Sequence, residues 1–363
     1  MSTLIAVILA FFGGVAATCI GALGSVILCA FVALIGVCAV MAGCEFNIAT
    51  QIAFGYFLSP HLGLGPAACA LGYAAKKGLV EDSKGIALPL MMLGRPDVYV
   101  VGGIFAVLAY FIKMGLDTFV GVGKIDAVSL TIVICGIIAK IMFGNEGLIG
   151  KVPEGDSRFG LMSRNTWMPH MPSGEGVTYA LFAAGASAVA GWLFWEMSEY
   201  GKHVMETNEV VGQNIMINAQ FPVFALAVIF LILLVCGLPC PVFHHVGLSS
   251  CYGAMGAYAA GAGELTVLVW AISCGVLSHF VADWLADIFL VYGDGYVDPP
   301  SLSMAFMSVF TFIIFPAIGF YSAGLVNVIP WILLAAAVVI AVVLQVRRNA
   351  LKKAAPADAE PAA

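Results

Sequence analysis

Charge is what this sequence has least of. Only 10% of its 363 residues are Asp, Glu, Lys or Arg, against 62% hydrophobic. A soluble domain carries roughly 25% charge. Fifteen basic and 21 acidic side chains cannot cover the water-facing surface of a globule this large. That excludes a soluble enzyme, a nucleic-acid binder and a disordered scaffold. Paired cysteines are lacking too. None of the ten cysteines stands in a CxxC pair, so they read as small buried hydrophobes rather than metal ligands or disulfides. No Walker lysine motif is present. No basic segment or small-residue cleavage site accompanies the first apolar run, which is expected to stay as a membrane helix.

What remains is apolar runs, and they predict an all-α polytopic membrane protein. A span needs about 20 mostly apolar residues. Continuous candidates are 4–21, 24–43, 98–119, 127–143, 178–196, 221–237, 265–291, 300–318 and 323–346. Their Gly and Ala content suits close helix packing in lipid. Two further apolar regions, 47–76 and 238–262, are interrupted by Ser59-Pro60-His61-Leu62-Gly63 and by Pro239-Cys240-Pro241. Proline and glycine break helices there, and unwound backbone survives at membrane depth only where protein or a water-filled cavity satisfies it.

The few cations set the topology. Lys76, Lys77, Lys84 and Arg95 form one group, Lys140, Lys151, Arg158 and Arg164 a second, and Arg347, Arg348, Lys352 and Lys353 a third. All three fall on one side only if both broken segments cross. This predicts about 11 spans, N-terminus outside and C-terminus in the cytoplasm. The loop 197–220, with Glu199, Glu206 and Glu209, then lies outside.

The two broken segments resemble each other. Pro60-His61-Leu62-Gly63-Leu64 aligns with His244-His245-Val246-Gly247-Leu248, Asp117-Thr118-Phe119 with Asp287-Ile288-Phe289, and Asp126 with Asp298. Five spans per half invert the second copy. The expected plan is a first repeat at 1–143, a cytoplasmic connecting loop at 144–177, an inverted second repeat at 178–322, an extra helix at 323–346 and a disordered tail at 347–363. Inverted repeats with broken helices are a secondary-transporter architecture.

Charges inside hydrocarbon call for a reason. His279, Asp283 and Asp287, four apart, share one helical face, which suits an ion-coupling stripe or, more blandly, an interhelical ion pair. Lys113 and Asp117 stand at the repeat-equivalent positions. They pair locally, or Lys113 reaches Asp283 or snorkels to the interface. The breaks are the expected substrate site. Asn47, Thr50, Gln51, Ser59 and His61 approach from one half, and His244, His245, Ser249 and Ser250 from the other. Half-helices starting after Gly65 and Gly247 would aim N–H groups at it. Ser249 and Ser250 have a second reading as helix N-caps, and so has Asp298 ahead of Pro299-Pro300. Adjacent His244 and His245 face different ways on regular backbone, so no metal is expected.

Gly-Tyr-Ala-Ala-Lys-Lys-Gly (72–78), Leu-Gly-Arg-Pro-Asp-Val (93–98), Pro-Val-Phe-His-His (241–245) and Tyr-Gly-Asp-Gly-Tyr-Val-Asp-Pro-Pro (292–300) resemble motifs of an uncharacterised prokaryotic permease-like membrane protein family. The resemblance covers about 30–320 and supplies no substrate. The family form has histidines where Tyr292 and Tyr296 stand here, which argues against metal binding in that loop. The expected function is a secondary active transporter of a small polar solute, with an anion favoured, coupled to H⁺ or Na⁺, without cofactor and possible as a homo-oligomer. A passive channel is the second class and a membrane-embedded enzyme the third.

Overall fold

The structure, a computed structural model, describes residues 2–155, 157–159 and 176–354, and every regular element among them is helical. Helices α1 (Thr3–Ile20) and α2 (Ala22–Met41) are separated by Gly21 alone. Its φ of 89° is a backbone conformation that side-chain-bearing residues avoid, and it breaks one helix from the next in a single residue. After a π-helical turn at Ala49–Ala53 and irregular backbone, α3 runs Leu64–Lys76. Next come α4 (Pro96–Leu116), extended by a π-turn at Asp117–Gly121, and α5 (Ala127–Phe143).

The second half holds α6 (Gly176–Met205), α7 (Glu209–Asn218), α8 (Phe221–Phe230) and the short α9 (Ile232–Val235). The chain bends by 46° between α7 and α8. Pro222 has no N–H to give the Asn218 carbonyl, which is where a continuous helix must break. Then follow α10 (His244–Ala259), α11 (Glu264–Phe289) and α12 (Pro299–Val309). A π-turn at Phe310–Ile314 leads into α13 (Phe315–Ala317), and α14 is Ile329–Ala354.

Seven of these helices are long and apolar enough to cross a membrane, or eight if the bent α7–α8 pair is one span. Large apolar side chains such as Phe12, Ile35, Trp192 and Trp331 lie exposed on the outside, as lipid-facing surface requires. Inside, helix α4 packs on α1, α3 and α5, and α11 on α6, α10 and α12. The halves meet where α2 packs on α8 and α5 on α12. Small residues allow these approaches. A Cβ on Gly102 would sit 1.9 Å from Thr18 Oγ1, and one on Gly275 would sit 2.0 Å from Ser187 Oγ.

Several boundaries differ from the sequence expectation. Helix α6 continues to Met205 and α7 begins at Glu209, so the outer loop foreseen at 197–220 shrinks to three residues. The apolar count falls after Trp195, but Tyr258 holds Glu199 (2.8 Å) and lies against Lys202, which carries the helix onward. The last helix starts at Ile329 instead of 323 and runs to Ala354, through the basic residues assigned to a disordered tail. Residues 355–363, and 160–175 of the connecting loop with Arg164, lie outside the described residues.

Candidate functional site

The interior of the second half holds a layer of buried imidazoles. Helix α10 begins at His244, so His244 and His245 occupy its first turn and Gly247 lies inside the helix. The half-helix start foreseen after Gly247 is therefore corrected by a turn. Pro239 and Pro241 end just before it, and Phe243, at φ −143°, is the boundary. Gly247 instead lets α8 approach, since a Cβ there would touch Val223 Cγ1 at 3.0 Å.

The rings of His244 and His245 lie at 86° to each other, and neighbours on one helix leave it in different directions. His245 turns toward α11 and stacks on His279, with centroids 5.5 Å apart and planes at 19°. Tyr179 of α6 meets the same ring edge-on at 4.7 Å. His244 turns toward Phe224 of α8. His279 is 1% exposed. Neither of its nitrogens has a hydrogen-bond partner, nor has His244 Nδ1 or the buried Ser249 Oγ. Ser250 bonds the Val246 carbonyl one turn back, so neither serine is an N-cap. These are four unsatisfied polar atoms on α10 and α11.

The ion-coupling stripe is only partly assembled. His279 makes no hydrogen bond to Asp283, one turn on. Asp283 and Asp287 are half-buried near the far end of α11, and both are partnered. Lys113 pairs with Asp117 at 2.6 Å, the local option of the three. The carbonyls that close α11 are held by cations from elsewhere. Arg158 bonds Asp287 O (3.1 Å), Lys140 bonds Phe289 O (2.7 Å), and Lys84 bonds Leu290 O (3.1 Å). Positive charge there complements the exposed C-terminal end of the helix dipole.

The helices that follow the two breaks pack chiefly within their own halves. Helix α3 packs on α1, α2, α4 and α5, while α10 packs on α6, α8, α11 and α12. His61 is buried in the first half and shares a 2.8 Å hydrogen bond with Ser59. Gln51 is exposed. Asn47 meets two carboxamides that sequence reading missed, Asn214 and Asn218 of α7. Its Nδ2 donates to Asn214 Oδ1 (3.2 Å), and its Oδ1 accepts from Asn218 Nδ2 (3.3 Å) and Thr50 N (3.2 Å). The backbone donor Thr50 N fixes which atom of Asn47 is oxygen. That in turn fixes Asn218, whose Oδ1 stays unsatisfied and buried. The spacing of Asn214 and Asn218, four apart on one helix, was the available signal.

Asp298, foreseen as a cap, is one, and so is Asp126, which the sequence only aligned with it. Asp126 accepts from Ser129 N (2.9 Å) and Asp298 from Ser301 N (2.8 Å). Asp298 also accepts from the Tyr296 hydroxyl at 2.7 Å. Burial, reinforced by the Asp298 carboxylate, pushes the Tyr296 phenol well above its usual range, which keeps its proton on the donor oxygen. Among the described residues no three His, Cys, Asp or Glu side chains converge as a metal site.

No curated protein and no solved structure matches the chain. Residues 1–329 match the Family of unknown function (DUF7973), and the chain belongs to that family.

Proposed function

We propose that the chain is a secondary active transporter of a prokaryotic plasma membrane. It carries a small polar solute, anionic in preference, driven by a coupled proton. The reading rests first on topology. Eleven crossings follow if α5, of 17 residues, and two broken segments join the eight spans above. Helix α10, of 16 residues, covers about 24 Å of a roughly 30 Å core, and the irregular 236–243 stretch completes that crossing. With the N-terminus outside, Lys76, Lys84, Lys140 and Arg158 all face the cytoplasm.

An inverted repeat supplies alternating access in this reading. Pairing α1 with α6, α2 with α8, α3 with α10, α4 with α11 and α5 with α12 preserves the main packing partners given above. The α2–α8 and α5–α12 contacts map onto themselves, as helices flanking a two-fold axis do. Asp126 and Asp298 cap equivalent helices in the same way.

One observation carries the coupling. His279 stands about 22 Å into α11, near mid-depth, stacked on His245 with both nitrogens unsatisfied. A buried polar group without a partner costs about 1–3 kcal/mol, and leucine would avoid that cost. Imidazole takes and gives a proton through either nitrogen, the property a relay needs. We place the solute beside this layer, at His244, His245 and Ser249, rather than between the two breaks. Asp283 and Asp287 lead from it toward the cytoplasm.

Purified protein in liposomes loaded with a pH-sensitive dye tests this. Addition of small anions under an imposed pH gradient should drive accumulation and proton movement together, and His279→Leu should uncouple them. Flux that never exceeds equilibration would instead identify a passive channel. Accumulation indifferent to the pH gradient would sink the proton coupling.

A further inference from the structure

Where α3 and α5 end, a cavity of about 170 Å³ opens against the 290–298 turn. Its polar lining includes Lys76, Glu81, Ser83, Lys140, Asn145 and Asp294. Lys140 is its buried cation, 2% exposed. Its ammonium gives one proton to Phe289 O at 2.7 Å. Gly293 leaves room for that ammonium, because a Cβ there would lie 2.7 Å from Nζ. Lys76 stands exposed and likewise gives one proton, to Met142 O at 2.6 Å. Each ammonium carries three donors.

Ser83 Oγ accepts from Gly295 N (2.8 Å), which leaves its own proton to donate. Two carboxylates share the lining. Asp294 accepts from Asn145 N at 2.5 Å and from Glu146 N at 3.3 Å, so each of its oxygens is engaged by a backbone donor. Glu81 is exposed to solvent. Lys140, Lys76 and Ser83 thus bring to the cavity donor protons beyond those used in the bonds above.

We infer that this cavity binds a small oxyanion, a carboxylate or phosphate group, through the Lys140 and Lys76 ammonium groups and the Ser83 hydroxyl. The inference deepens the transport reading, and rests on it, by giving the anion a cytoplasmic docking point. Lys140 joins that point to the end of α11, the helix that carries His279, so one rigid element touches both the anion and the relay. The same donors would accept a phosphate from a lipid headgroup.

Binding is measured on the full chain in detergent without any gradient, so its failure is distinct from a failure of transport. Sodium acetate and inorganic phosphate are titrated at constant ionic strength, with chloride as the balancing ion, while thermal unfolding is followed. The midpoint should rise saturably with acetate or phosphate and stay flat in chloride alone. Glu81→Gln removes a repelling charge and should tighten binding about two- to fivefold. Lys140→Gln should weaken it by about tenfold or more. Should that variant fold poorly, Lys76→Gln, at the exposed edge, should still weaken it measurably. Competition by phosphatidylglycerol but not phosphatidylcholine would assign the cavity to a headgroup phosphate, and no competition would assign it to a free anion. Absence of saturable stabilisation, or one untouched by both Glu81→Gln and Lys76→Gln, overturns the inference.

Discussion

Asp126 of the first half accepts a hydrogen bond from the Tyr252 hydroxyl of α10, in the second half, at 2.7 Å. The same carboxylate caps α5 through Ser129, and its backbone N–H donates to Ser308 Oγ of α12 at 2.9 Å. One residue thus fixes a helix start and ties it to two helices beyond the domain seam. Tyr252→Phe removes only the hydroxyl and leaves the cap. Hydrogen bonds to charged groups contribute about 1.5–3 kcal/mol, so unfolding in detergent should shift by an amount in that range. A variant as stable as the parent would show that the seam is held by apolar packing alone.

For His279 the expectation is opposite in sign. Its nitrogens bond to nothing, so His279→Leu removes two unsatisfied polar atoms from a buried layer. Replacing such a group by an apolar one of similar volume is close to neutral or stabilising. Stability should hold within about 1 kcal/mol while proton-coupled uptake is lost. Destabilisation well beyond that, with transport retained, would make the ring a packing residue for His245 and Tyr179.

Asn47 holds a network that outlasts any single contact. Asn47→Ala leaves the buried Asn218 amide and the Asn214 carbonyl without their partner. Each orphaned group costs about 1–3 kcal/mol, so the fall in stability should exceed that of Gln51→Ala, whose side chain is exposed. Equal, small effects at both positions would refute the network's role in joining the turn at Asn47 to α7.

Tyr296 adds a pH dependence. Its phenol is held well above the unfolded value by burial and by Asp298, so the folded state keeps the proton longer than the unfolded chain does. That stability is fully present below the unfolded phenol value of about 10 and is lost as pH rises beyond it. Alkaline unfolding followed by circular dichroism should move to higher pH in Tyr296→Phe, which has no proton to lose. An unchanged transition would leave the tyrosine irrelevant to it.

The apolar runs of this sequence determined that the chain is helical and where most long helices lie, because continuous runs of about 20 apolar residues suit a helix that bonds its own backbone and are too long for the alternating strands of a barrel. Local chemistry was equally legible. Asp126 and Asp298 cap helices because a carboxylate three residues before a serine N–H needs no distant partner. The reach of α6 to Met205 was hidden, since Tyr258, 59 positions from Glu199, stabilises that turn. The site depended still more on packing. His245, His279 and Asn47 stood out as polar residues in apolar stretches, but their neighbours did not. Which way α10 turns, and how close Gly275 of α11 lets that helix lie to α6 and α10, decides that His245 stacks on His279. Sequence spacing sets the faces of a single helix. Only the tertiary structure says which faces meet, because close approach depends on atoms far apart along the chain.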